Sequence, residues 1–470
     1  MTTDKHDLTG KIPMPATIYD VVVVGAGESG LEVALQAAAE GKSVLLVDEH
    51  PVPGALMGTD VPYFFGGRAT AAVQNSARMI EQIFATNPKL EAAFEAGIEV
   101  ELGTAAWGLY RNGAALKTIP HPMIGLANAE RAWMVGFKEL VLATGARDIV
   151  LGFNGWTQPG VMGAQGFQAL VTRYQAFSGQ RVLILGAGAV AHSTLKMASD
   201  AGLTVVGLVA PDDGAVGRTG PRAVAAPADV PVYPAHVIAA ITAGLDGVSG
   251  ATLKSLNDGS EIHVDCDTIV LAIGTTPATE LLEAAGITSD DTIRLVGDCA
   301  GAAPDWAEIQ RWSDALGAYA PSEMIVCQCE EVTRADLLGV QPPNYIARPP
   351  KMQARALSSL LNDGPAHPDQ IKRLTRAGMG TCQGRRCRDQ VRCLLAQAEG
   401  TSVAAVPMAS YRAPVRPIPL HILADWQEEE AMVAGWDVWF GIPTQWTPYA
   451  IVGTPEEAEH VSIVGGYSHV

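Results

Sequence analysis

The sequence predicts an α/β protein: two Rossmann-like dinucleotide-binding units followed by a small C-terminal domain that carries cysteines. One observation is a run of strand, glycine turn, helix and strand at residues 19–50, and a second is its recurrence at 180–211. The third is that four of the seven cysteines fall in two tight pairs, in VCQCEEVT (326–333) and GMGTCQGRRC (378–387). At 470 residues the chain exceeds one compact core, so two or three domains are expected. A net charge of −18 argues against nucleic acid or an anionic membrane as the general partner. No apolar run approaches the roughly 18 residues that a membrane span needs. The N-terminal stretch has no apolar signal-peptide core and reads as a flexible arm over 1–17, which makes cytoplasm the expected compartment. There, closely paired cysteines favour metal or redox chemistry over structural disulfides.

The first glycine run is YDVVVVGAGESGLEVALQAAAEGKSVLLVDEH. Val21 to Val24 form the continuous apolar stretch of a buried parallel strand. Gly25, Gly27 and Gly30 give G-x-G-x-x-G, whose bare α-carbons permit a tight turn, close approach of a pyrophosphate and close helix packing. The next helix starts near Glu28 and Ser29 and aims its amide end at that phosphate. Asp48, twenty-three residues after Gly25, is placed to bind ribose hydroxyls, with Glu49 as the alternative. Two later segments, ELVLATGARD (139–148) and IRLVGDCAG (293–301), resemble signatures of the two-dinucleotide-domain flavoproteins. That resemblance implies FAD, and carries cofactor contacts onto Ala143, Thr144 and Gly145, and onto Gly297 with Asp298.

The second run keeps Gly186 and Gly188 but has Ala191 at the third glycine position. Twenty-three residues after Gly186 stands Val209, where a carboxylate would bind NAD ribose, and Asp212 and Asp213 come late. A Rossmann-like fold closed by residues 267–277 is expected. NAD, another adenine nucleotide and an empty structural domain all remain open. His192 reads as a helix-surface residue. Between the runs, Met79, Ile80, Ile83, Phe84, Leu90 and Phe94 recur at helical spacing and read as core-facing. Tyr63 to Phe65 form an aromatic loop that could line the flavin, a partner surface or the local core.

The cysteine pairs are C-x-C and C-x4-C: Cys327, Cys329, Cys382 and Cys387. Structural zinc sites favour C-x2-C knuckles, so this spacing suits zinc poorly, whereas four thiolates match a 2Fe–2S cluster. Zinc and free thiols stay as alternatives. Gly378, Gly380 and Gly384 let the backbone bend around an inorganic core. Seven cations, from Lys372 to Arg392, would favour its negative charge, although Arg388 and Arg392 also fit a solvated helix face. Cys266 and Cys299 read as buried thiols and Cys393 as a spectator.

CQCEEVT and IKRLTRAGMGTCQGRRC together resemble the bacterioferritin-associated-ferredoxin-like (BFD-like) 2Fe–2S domain, as carried by α subunits of multimeric amino-acid dehydrogenases: opine oxidases, hydrogen cyanide synthase, and D-hydroxyproline or proline dehydrogenases. Residues 152–170 and 411–420 resemble linkers of that family. Ala55, in VPGALMG, departs from its pattern, as do the long stretch between the cysteine pairs and the short stretch after Asp298. The expected division is an FAD-binding domain at 18–170 and 275–322, a second Rossmann-like domain at 171–274, a BFD-like domain at 323–398 and an extension at 399–470. The resemblance implies an electron-transfer α subunit of a hetero-oligomeric, flavin-dependent amine or amino-acid dehydrogenase. An FAD-containing β subunit would oxidise the C–N bond, FMN would sit at the subunit interface, a small third subunit belongs to some assemblies, and an electron acceptor would follow. No catalytic acid–base set is expected in this chain. The rivals are a self-sufficient NAD(P)H-dependent flavin/iron–sulfur reductase and a non-catalytic scaffold. The final fifty residues hold Trp426, Trp436, Trp439 and Trp446, which suit either a partner contact or self-packing.

Overall fold

The computed structural model describes residues 14–52, 66–112, 119–212, 230–288, 290–365, 367–424, 451 and 454–464. The aromatic loop at Tyr63 to Phe65, Ala55, Asp213 and the four C-terminal tryptophans lie outside these residues.

The first sheet takes its parallel part from β1 (Ile18–Val24), β2 (Val44–Asp48), β3 (Glu99–Leu102), β6 (Ala132–Leu142) and β17 (Ile293–Leu295), in the order β3-β2-β1-β6-β17. β4 (Ala105–Tyr110) and β5 (Met123–Ala127) form an antiparallel meander with the N-terminal half of β6. The valine run explains the layering. Val21 and Val23 enter one core cluster and Val22 and Val24 the opposite one, because successive strand side chains point to opposite faces. Both faces are therefore covered, as a parallel sheet requires.

The second unit has a five-stranded sheet in the order β11-β10-β9-β15-β8. Its strands are β8 (Val161–Gly163), β9 (Arg181–Leu185), β10 (Thr204–Val209), β11 (Val232–Tyr233) and β15 (Thr268–Leu271). An antiparallel meander of β12 (His236–Gly244), β13 (Gly247–Ser255) and β14 (Glu261–Val264) lies beside it. β7 (Ala146–Asp148) and β16 (Thr275–Pro277) pair antiparallel where the chain crosses between units. β8 corrects the division read from the sequence. Residues 161–163, assigned to the first domain, supply the edge strand of the second sheet through parallel pairing with β15. Three residues carry too little periodicity to betray a strand.

The cysteine module does not hang free. Its hairpin β18 (Ile325–Cys327) and β19 (Val332–Thr333) and the helix Arg388–Glu399 share one hydrophobic cluster with the second unit and with linker residues Ile149 to Trp156. Trp156 is buried and donates its indole N–H to the Ile325 carbonyl at 2.7 Å. In the helical pair Ser76–Thr86 and Pro88–Glu95, Met79, Ile83 and Leu90 are core residues as expected. Ile80 and Phe94 are not: they are 38% and 48% exposed, on the outer edge of the same helices. The helical period placed them within the apolar stripe, but the neighbouring helices cover only part of it.

Candidate functional site

A cavity of about 480 Å³ opens at the carboxyl ends of β2, β1, β6 and β17. Its walls gather the separated sequence signatures: the Gly25–Gly30 turn with Glu28 and Ser29, then Asp48 and Glu49, then Ala143 to Gly145, then Gly297 and Asp298. Topology explains the meeting. Each signature follows one of four adjacent parallel strands, so all emerge on one edge of the sheet, where open α/β sheets bind ligands.

The glycines divide by role. Gly25 has φ +111°, and an added Cβ there would strike the Ala143 carbonyl. A Cβ on Gly30 would strike the Gly25 carbonyl, so both serve the turn itself. Gly27 differs, since nothing lies within 4 Å of a Cβ built there. Its bare α-carbon leaves open space before the first turn of the helix Glu28–Ala39, the space a phosphate needs.

Asp48 and Glu49 also separate. Asp48 is buried, and its two carboxylate oxygens accept the Ala26 and His50 backbone N–H groups at 2.6 and 2.8 Å. Burial raises its pKa, against the pull of those hydrogen bonds and of Arg173. Asp48 thus braces the glycine turn. Glu49 is the acid held by a distant partner: Arg416 donates Nε and Nη2 to its two oxygens at 2.6 and 3.3 Å. Arg416 and Arg173 line the cavity and were not singled out in the sequence. No local pattern could have found Arg416, which lies 367 residues from Glu49.

In the second unit, hydrogen bonding corrects the residue count. Gly25 donates its N–H to the Val47 carbonyl, and Gly186 donates its own to Val209. Val209 therefore matches Val47, and the position of Asp48 belongs to Ala210. An irregularity in β10 between Val205 and Gly207 shifts the register and displaces the count. Ala210 is buried and apolar, and its backbone is paired to Tyr233 and His236. Asp212, further on, faces Arg311 at 3.6 Å. Neither Val209 nor Ala210 offers a ribose-binding carboxylate, and His192 is exposed on its helix as expected.

The fold brings the four paired cysteines together. Cys327 is hydrogen-bonded to Cys387, and Cys329 to Cys382, across the two loops. Three are buried and Cys329 is half-buried. The Gly378 N–H donates to Cys327 Sγ at 3.5 Å, and Thr381 Oγ1 donates to Cys329 Sγ at 3.6 Å. The Cys382 hydrogen bond pulls Cys329 down to about 5, and the same bond pushes Cys382 up. Gly380 is required by crowding, because a Cβ there would meet the Cys329 side chain. Among the described residues, no group of three or more His, Cys, Asp or Glu side chains is arranged to hold a metal ion, so the four cysteines stand as two facing thiol pairs. Cys266 and Cys299 are buried, as expected, and Cys393 is buried as well.

Four of the seven cations around these loops are not part of a solvated face. Arg385, Arg386, Arg388 and Arg392 are all buried. Arg388 reaches Glu283 at 2.7 Å and lies 3.9 Å over the Tyr411 ring, while Arg392 donates to the Val406 and Ala404 carbonyls. The solvated-face alternative for Arg388 and Arg392 fails because Glu283 and Tyr411 cover the first, and Trp306 with the Val406 and Ala404 carbonyls covers the second.

One buried cation joins the two sites. Arg147, on β7 just after Gly145, donates to Asp389 at 2.5 Å and to the Arg385 carbonyl at 3.2 Å, and faces Glu280 at 3.5 Å. Glu280 lines the nucleotide cavity, while Arg385 and Asp389 flank Cys387.

Residues 19–313 match the family described as pyridine nucleotide-disulphide oxidoreductase, and residues 345–426 match the sarcosine oxidase A3 domain. An opine oxidase subunit of Agrobacterium tumefaciens (strain Ach5) is 26% identical, covering 86% of this chain and 91% of its own. Hydrogen cyanide synthase subunit HcnB of Pseudomonas aeruginosa is 25% identical, covering 85% and 97%. The crystal structure of L-proline dehydrogenase from P. horikoshii superposes with a TM-score of 0.54 at 17% identity, over 88% of this chain and 80% of that one, a likeness of fold.

Proposed function

Since this chain belongs to the pyridine nucleotide-disulphide oxidoreductase family, we propose that it is the electron-transfer subunit of a hetero-oligomeric, flavin-dependent amine or amino-acid dehydrogenase. FAD occupies the first cavity and a 2Fe–2S cluster the four cysteines. A partner flavin subunit supplies the electrons and an acceptor takes them. The carrying observation is that the cavity lined by all the separated glycine and acid signatures and the four facing cysteines are joined by the buried Arg147.

A flavin accepts one or two electrons and a 2Fe–2S centre one, so together they divide a two-electron oxidation into single steps. The protein's part is to bind and orient. The helix Glu28–Ala39 and the Gly27 space would receive the phosphates, and Glu49 at the cavity wall would bind the ribose hydroxyls. Cys327, Cys329, Cys382 and Cys387 would hold the cluster, with the Gly378 amide and the Thr381 hydroxyl stabilising thiolate charge. Burial of the surrounding arginines keeps positive charge near the sulfurs without exposing them to water. The subunit names of opine oxidase and hydrogen cyanide synthase relatives favour a multi-subunit assembly.

Anaerobic purification with all co-purifying subunits tests this. About two irons and one FAD per chain are expected, with both chromophores bleached by an amino-acid or amine donor and neither by NADH. Zinc in place of iron, or bleaching by NADH alone, would overturn the reading.

A further inference from the structure

We propose that Arg416 is a nucleotide-site residue delivered by the segment after the cysteine module, and that it fixes the Glu49 carboxylate where a ribose diol binds. This deepens the flavin reading and rests on it. Asp48 is less available for that role, because it is buried and braces the glycine turn with both oxygens, whereas Glu49 is half-buried. Glu49 follows it at the cavity wall and would otherwise sample several rotamers. The planar guanidinium of Arg416 grips both of its oxygens, the fork geometry that best orients a carboxylate. Each oxygen keeps a further lone pair for a hydroxyl donor. The ligand class is therefore a nucleotide whose ribose hydroxyls are free, since a 2′-phosphate would face the Glu49 charge.

The segment is anchored at both ends, so the arginine is held and does not merely reach across. Val415 donates its N–H to the Trp107 carbonyl at 2.8 Å, and its side chain joins the core cluster of Val24, Leu45 and Val47. Upstream, Tyr411 is buried beneath the guanidinium of Arg388, the residue that follows Cys387. The cysteine helix thus holds one end of the strap while the other closes the flavin cavity. Arg416 acts through Glu49, which makes it a positioning residue.

The test measures FAD affinity by flavin fluorescence in the full chain with its co-purifying subunits, for Arg416→Met, Arg416→Lys, Glu49→Gln and the Arg416→Met/Glu49→Gln pair. Losing a bidentate charged contact predicts about a tenfold weaker FAD dissociation constant for Arg416→Met, with the apo melting temperature little changed. Arg416→Lys should fall between, because an ammonium cannot grip both oxygens in one plane. In the Glu49→Gln background Arg416→Met should add less than about twofold, since the two act as one unit. Wild-type affinity in Arg416→Met and Arg416→Lys, or full additivity with Glu49→Gln, overturns the inference while leaving the flavin reading intact. A wild-type chain that neither contains nor takes up FAD overturns both.

Discussion

Single atoms at the nucleotide site separate folding from binding. Gly30→Ala places a methyl against the Gly25 carbonyl and should yield little soluble protein. Gly27→Ala meets nothing in the protein, so its apo melting temperature should match wild type while FAD content in the purified chain falls several-fold. Spacing put the three glycines into one motif; only the packing distinguishes the two that close the turn from the one that admits a ligand. Asp148 offers a pH test. It is buried, accepts the Gln165 N–H and caps the short helix Ala164–Gln168, and burial pushes it up to about 7. The folded state then binds its proton more tightly than the unfolded chain. Its stabilising share is complete below the ordinary carboxyl pKa near 4 and is lost as pH rises through about 7. Melting curves from about pH 4 to 8 should show wild type losing stability relative to Asp148→Asn across that window. Parallel curves would refute the assignment.

Among elements, the contact between β7 and the helix Arg388–Glu399 governs how the cysteine loops sit on the first unit. Arg147→Met leaves Asp389, fully buried, without its main counter-charge, a loss of about 3–5 kcal/mol. Arg147→Met with Asp389→Leu removes both charges and should recover most of that loss in thermal melts. If the double variant is no more stable than the single, the pair is not the source. None of this was legible beforehand. Arg147 and Asp389 stand 242 positions apart, and a partner that distant leaves no local trace. The same holds for β10, where one irregular residue moved the ribose position from Val209 to Ala210.

For the whole molecule, the shared core decides how the parts cooperate. Residues of the linker, the second unit and the cysteine module occupy one hydrophobic cluster, so the module is built into the body of the protein. The first cavity is likewise finished by Val415 and Arg416, from beyond the module. Sequence alone determined the two glycine-turn units, the set of signatures around the first site and the local spacing of four cysteines, while the fold decided which sulfur faces which. Those features are local: strand burial, turn sterics and ligand spacing are written in a few consecutive residues. The tertiary structure decided which acid is held at the cavity, that the arginines beside the cysteines are buried, and that Arg147 and Arg416 join distant segments. Such assignments depend on which surfaces dock, and docking is set by the summed burial of the whole chain, which no short stretch encodes.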